Sequence, residues 1–202
     1  MIKDRLKSER IDLLVSQSSK NNMSFCGDDY FFLLKDDFFL CVLADGLGSG
    51  EFAYESSHSV IEEVKANPDM DVEELMALCN QSLLSKRGAA VSILKVFFET
   101  REFIYSSVGN IRFFLYNPEK DQITFPVPVT GYLSGRRQNY RTRSFTFEKG
   151  AKFLLHSDGV RLQGAKSILS KKLTLEQMAY QILDDNPITS DDTTLIIGSL
   201  FP

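Results

Sequence analysis

The chain has 202 residues, a net charge of −4, 43% hydrophobic and 25% charged residues, which suits one ordinary globular domain spanning 1–202. That charge offers no general attraction to nucleic acid or to an anionic membrane, and no apolar run is long enough to span a bilayer. Cys26, Cys41 and Cys79 form neither a metal knuckle nor an even disulfide framework. A reduced, cytoplasmic location is therefore expected, and the chain is taken as a monomer, which nothing in the sequence fixes. With only two histidines, a multi-histidine metal site is excluded, so a metal would rest mainly on carboxylates.

Taken in order, Glu9–Gln17 carries the apolar stretch Ile11 to Val15 and reads as a first strand, preceded by a charged N-terminus and followed by a polar loop over 16–22. Cys26-Gly27-Asp28-Asp29 precedes an aromatic strand, Tyr30–Leu34, and Asp36-Asp37 turns the chain into Phe38–Ala44. This last run is apolar without alternation, so both its faces should be covered. It stops at Asp45, and Gly46-Leu47-Gly48-Ser49-Gly50 leads into a helix with Ala53, Ser57, Val60, Ile61 and Val64 on one face, ending near Asn67-Pro68. Asp71 with Glu74 predicts a capping box for a second helix, which Lys86-Arg87-Gly88 terminates.

Three strands follow, Ala89–Phe98, Phe103–Val108 and Ile111–Tyr116, joined at Thr100-Arg101 and Gly109-Asn110. The short joints predict antiparallel hairpins. Gln122–Phe125 is a short fourth strand. Residues 126–143 are irregular, with two prolines, Gly131, Gly135 and the cluster Arg136, Arg137, Arg141 and Arg143. Long excursions of this kind are usually functional, and the arginines suit an acidic face or a phosphate on a docked phosphoprotein. The strands Ser144–Phe147 and Lys152–His156 come next, and Asp158-Gly159 ends the second. A short helix over Ala165–Leu169 and a longer one capped by Thr174 and Gln177 follow, with a stop at Asn186-Pro187. Ser190-Asp191-Asp192-Thr193 opens the final strand, Thr194–Gly198.

Aspartates thus stand at four strand boundaries: Asp45 and Asp158 after apolar strands, Asp28 and Asp191 before them. In antiparallel sheets a strand's end lies beside its neighbour's start, so the four can converge at one pole. Their mutual repulsion would then call for a cation, and all-oxygen ligands point to Mg²⁺ or Mn²⁺ rather than Zn²⁺ or Cu²⁺. Aspartate and glycine are also ordinary turn residues, which is the alternative for any one of these positions. His156 lies beside Asp158 either as a core residue or as a support for the site, and Cys26 is read as packing.

Ala44-Asp45-Gly46-Leu47-Gly48-Ser49-Gly50, His156-Ser157-Asp158-Gly159 and Ser190-Asp191-Asp192-Thr193-Thr194 resemble, in order and spacing, the motifs of the metal-dependent protein phosphatases, the PPM or type-2C family. Gly27-Asp28, Lys86-Arg87-Gly88-Ala89-Ala90 and Val108-Gly109-Asn110-Ile111-Arg112 are similar to its other motifs, so the likeness runs along nearly the whole chain. It implies an α+β fold, a four-layer α-β-β-α sandwich of two antiparallel sheets flanked by helices. It further implies two Mn²⁺ (or Mg²⁺) ions. Asp45 would bridge them, the Gly46 carbonyl would bind one, Asp158 and Asp191 the other, and Asp28 would reach a metal through water. The implied activity is hydrolysis of phosphoserine and phosphothreonine in proteins.

The small size and Gly131-Tyr132-Leu133-Ser134-Gly135 resemble the branch of the family that acts on stressosome proteins. Its partners would be phosphorylated scaffold and antagonist proteins, and its effect a restraint on a general-stress sigma-factor pathway. Leu47 stands where many members have a histidine, the upstream phosphate-gripping arginine is absent, and Asn110 replaces an aspartate tied to a third metal. The resemblance with these departures implies a narrow, slow enzyme that depends on docking. The alternatives are a non-catalytic phosphoprotein-binding module on the same fold and a phosphatase for small molecules.

Overall fold

The structure is a computed structural model that describes residues 2–184 and 191–202. In chain order its elements are β1 (Ile2–Lys7), β2 (Ile11–Ser18), a 3-10 turn (Lys20–Asn22), β3 (Asp28–Leu34), β4 (Phe38–Gly46), α1 (Glu51–Ala66), α2 (Val72–Ser82), β5 (Ala89–Phe97) and β6 (Glu102–Val108). Then come β7 (Arg112–Asn117), β8 (Gln122–Thr124), β9 (Arg143–Thr146), β10 (Lys152–His156), α3 (Ala165–Leu169), α4 (Leu175–Asp184) and β11 (Thr193–Leu200). The helix stop expected at Asn186-Pro187, and Ser190 of the last acidic motif, lie outside the described residues.

The chain forms two compact units. One takes Met1–Asn22, Arg112–Val127 and Phe147–Pro202, and its antiparallel sheet runs β1-β2-β11-β10-β7-β8. Helices α3 and α4 cover one face: Leu175, Met178, Ala179 and Ile182 form a core with Leu14, Leu154, Leu195 and Ile197. The α4 start carries the expected reciprocal cap, Thr174 N–H to Gln177 Oε1 at 2.9 Å and Gln177 N–H to Thr174 Oγ1 at 3.2 Å.

The second unit takes Met23–Ile111 and Pro128–Thr146, with the antiparallel order β3-β4-β5-β6-β9. Here α1 and α2 present Val60, Ile61, Val64, Leu75, Met76 and Cys79 to Leu40, Val42, Ala44, Val91 and Ile93. Every residue from Phe39 to Ala44 is fully out of solvent, as the unbroken apolar run requires. Burial pushes the Cys79 thiol up to about 12 and the Cys41 thiol further, so both act as apolar packing groups.

Two expectations are corrected. The charged N-terminus is itself a strand: β1 exposes Lys3, Asp4, Arg5 and Lys7 and tucks in only Ile2 and Leu6. It is a sheet edge, where charge guards against unwanted pairing and masks alternation. Also, β6 and β7 do not form a hairpin; they belong to different sheets, and β9 takes the place beside β6. A two-residue I′ turn needs φ > 0 at both central residues, whereas only Gly109 (φ 114) has it and Asn110 does not. Gly109 instead donates its N–H to Val129 O at 2.9 Å.

Candidate functional site

The acidic residues come together as two pairs, one within each unit. In the first, β3 and β4 run past the boundaries expected from sequence, so Asp28 and Asp45 lie inside the ladder and directly opposite one another. The Gly46 N–H to Gly27 O bond, 3.0 Å, continues that pairing. Asp28 is only 3% exposed and Asp45 is half-buried. Facing cross-strand side chains have Cβ atoms about 4.5–5.5 Å apart, where like charges oppose folding. Gly46 is required by close approach: a Cβ there would fall 1.9 Å from Ala53 O, so helix α1 passes directly against the strand end.

The second pair is Asp158 and Asp191, both exposed. Ser157 ties them to the same place. Its N–H donates to Thr194 O at 3.1 Å and its Oγ accepts from Thr194 N–H at 2.9 Å, joining the end of β10 to the start of β11. Gly159 again permits contact, since a Cβ would lie 2.0 Å from Asp192 O. Asp192, the neighbour of Asp191, is the buried member of the tandem, and its Oδ1 accepts the Lys20 N–H at 2.9 Å. It therefore anchors the 3-10 turn, and Asp191 is left at the surface.

Among the described residues no three His, Cys, Asp or Glu side chains form a group that could hold a metal. The donors nonetheless fit a hard divalent ion. They are carboxylates and a backbone carbonyl, and Mg²⁺ commonly takes only one or two protein carboxylates and keeps several waters.

His156 is a core residue. It is 2% exposed, its Nδ1 lies 2.7 Å from Ser157 O, and its ring stacks on Phe114 at 6.2 Å. Burial pushes its pKa down to about 4, so the ring is neutral at pH 7. Arg136, Arg137 and Arg141 are exposed and Arg143 is half-buried. None of the four forms an ion pair among the described residues.

The sequence reading missed what holds this arginine-bearing segment. Asn80 on α2 accepts N–H bonds from Ser134 and Gly135, each 3.1 Å, and donates to Arg136 O at 2.8 Å. Leu133 pairs with Ala89 through bonds of 2.9 and 3.0 Å. Also missed was Lys95, 3% exposed, whose ammonium donates to the carbonyls of Pro68, Asp69 and Met70 at 3.0–3.2 Å. The only signal for either was a polar residue at an otherwise apolar position.

The sequence profile of the Stage II sporulation protein E (SpoIIE) family matches residues 35–200. The chain is 42% identical over 194 residues to the phosphoserine phosphatase RsbX of Bacillus subtilis (strain 168), covering 96% of this chain and 97% of that one. The crystal structure of RsbX in complex with magnesium superposes with a TM-score of 0.94, at 42% identity over 99% of this chain and 100% of that one. A chain from structural work on the bacterial stressosome shares the fold, with a TM-score of 0.83 at 22% identity over 94% and 99% of the two chains. The two antiparallel sheets, each with its pair of helices, and the profile match over most of the sequence place this chain in the SpoIIE family of PPM-type protein phosphatases.

Proposed function

We propose that this chain is a Mn²⁺- or Mg²⁺-dependent serine/threonine phosphatase that acts in the cytoplasm, as a monomer, on phosphorylated stressosome scaffold and antagonist proteins, and so restrains a general-stress sigma-factor pathway. The metal ligands in this reading are Asp28, Asp45 and the Gly46 carbonyl in one unit, with Asp158 and Asp191 in the other. The observation that carries it is the pairing of carboxylates at glycine-bounded strand ends in a chain 42% identical to a phosphoserine phosphatase. Two divalent ions, when bound, lower the pKa of water and neutralise charge on the phosphoryl oxygens.

The protein's own residues orient and exclude. Asp45 and Asp28 are held by the β3–β4 ladder, and Asp158 by the Ser157–Thr194 bonds, so the ligands do not have to be ordered when substrate arrives. As water oxygen bonds to phosphorus, the bond from phosphorus to the serine Oγ breaks, and that oxygen takes a proton. No histidine follows Asp45-Gly46; Leu47 is there, and the proton comes from solvent. His156, neutral and buried, is not its source.

The four arginines of 136–143 dock the phosphoprotein in this account. They are displayed on a segment fastened by Asn80 and Leu133, and guanidinium forks match carboxylates and phosphates. The test is phosphate release from a phosphorylated stressosome scaffold protein with Mn²⁺ or with chelator, for wild type and for the variant with Arg136, Arg137, Arg141 and Arg143 all changed to alanine. Release abolished by chelator and lowered at least tenfold in the variant is expected. Release indifferent to chelator refutes the metal-dependent reading. No release under any condition favours the non-catalytic module.

A further inference from the structure

Beside the Asp28–Asp45 pair lies a second group of residues that the proposed chemistry does not use. The register of β4 against β5 pairs Asp45 with Ala90 and Gly46 with Ala89. The Leu47 N–H to Gly88 O bond, 2.9 Å, carries this pairing one step past the strands. Continued once more, it sets Gly48 against Arg87, and the two do meet: a Cβ on Gly48 (φ 101) would lie 2.7 Å from Arg87 Nη1.

The guanidinium is held there by the ring of Phe52, 4.8 Å from its carbon to the ring centroid, a cation–π contact that limits its motion. Phe52 sits in the first turn of α1 and is 59% exposed. That exposure serves no burial, but it does provide a platform for Arg87. Phe52, Glu55, Ser85, Lys86 and Arg87 line an open pocket of about 440 Å³. The turn that presents the two cations is conformationally costly: Ser85 has φ 69, a left-handed conformation that non-glycine residues seldom adopt, and Gly88 follows with φ 103. Neither Lys86 nor Arg87 forms an ion pair among the described residues, so two cations face the single carboxylate of Glu55.

We infer that Arg87, with Lys86 beside it, is a specificity-determining subsite that binds an acidic side chain of the substrate flanking the phosphoserine. The inference rests on the phosphatase reading above. Position selects the ligand. The guanidinium meets the backbone at Gly48, beyond the end of β4 and past the Asp45–Ala90 and Gly46–Ala89 pairs of the ladder. It therefore flanks the Asp28–Asp45 pair instead of facing it across the sheet, and a side chain neighbouring the phosphoserine would lie there. A guanidinium fork matches a planar carboxylate in bidentate fashion, and stacking on Phe52 lowers the ordering cost of that contact.

The experiment measures kcat/KM on synthetic phosphoserine peptides that carry Glu, Gln or Lys at the flanking positions, for wild type, Arg87→Ala and Arg87→Glu. Wild-type turnover of a small aryl phosphate is measured alongside. A charge-assisted contact is worth roughly 10–100-fold. Wild type is expected to favour the Glu peptide over the Gln peptide by at least tenfold. R87A should level that ratio, and R87E should turn the preference to the Lys peptide. Misfolding lowers all three peptides together and cannot produce the reversal. Equal wild-type rates on the Glu and Gln peptides, or a preference that persists in R87A without reversal in R87E, would overturn the subsite while leaving the phosphatase intact. If wild type also fails on the aryl phosphate, the phosphatase reading falls and this inference with it.

Discussion

Replacing Asn80 by alanine removes three hydrogen bonds at once: acceptance from Ser134 and Gly135 N–H at 3.1 Å each, and donation to Arg136 O at 2.8 Å. Asn80 is 7% exposed, so its partners are not simply handed to water. At about 1 kcal/mol net for each bond, the local cost is ~3 kcal/mol, or roughly 100-fold faster opening of the segment. Amide hydrogen exchange measures this directly. In N80A the Ser134 and Gly135 amides should exchange about 100-fold faster, while Leu133 and Ala89, which pair with each other through the backbone, keep their protection. Asn80→Asp keeps both acceptances but sets a carboxylate oxygen against Arg136 O, where the amide donated at 2.8 Å, and buries a charge. At neutral pH it should therefore not restore the wild-type protection. Unchanged exchange at Ser134 and Gly135 in N80A would refute the idea that this side chain fastens the arginine segment.

Further outcomes follow from packing and titration. Gly198 stands opposite Phe153 in the β10–β11 ladder, and a Cβ there would lie 2.2 Å from the ring. Gly198→Ala should cost roughly 1–3 kcal/mol in urea unfolding, and Phe153→Leu should recover ~1 kcal/mol of it in the double variant; strict additivity would contradict this overlap. Burial raises the pKa of Tyr105, which is 2% exposed. The folded state thus holds this proton above pH 10 after the unfolded chain has released it, so stability falls as pH rises through that range, by up to about 1.4 kcal/mol per unit. Tyr105→Phe should make that slope shallower, Tyr116 and Tyr140 being shifted in the same direction, and equal slopes in both proteins would show that the Tyr105 phenol does not contribute to it.

What could be read from sequence was whatever depends on neighbours along the chain. The Asp71–Glu74 and Thr174–Gln177 caps, the helical faces and the buried run Phe38–Ala44 all appear as expected, because each is set by spacing within a few residues. The meeting of strand ends was legible in part, since antiparallel pairing obliges an end to lie beside a start, and Asp28 does face Asp45.

Features that depend on distant partners were not legible. Gly109-Asn110 has hairpin composition, but Gly109 instead bonds to Val129, twenty residues on. The excursion over 126–143 reads as loose because its fastening residue, Asn80, lies more than fifty positions earlier. The charges of β1 hide its alternation, and Arg87 shows its purpose only once register sets it against Gly48.

The account rests on Asp28, Asp45, Asp158 and Asp191 as cation ligands, and calorimetric titration of Mn²⁺ into the metal-free protein tests this most directly. Wild type should bind two equivalents. Asp45→Asn, which removes the carboxylate proposed to serve both ions, should weaken both, and Asp158→Asn should weaken one at least tenfold. Two equivalents bound by wild type, D45N and D158N with the same affinities would contradict the assignment.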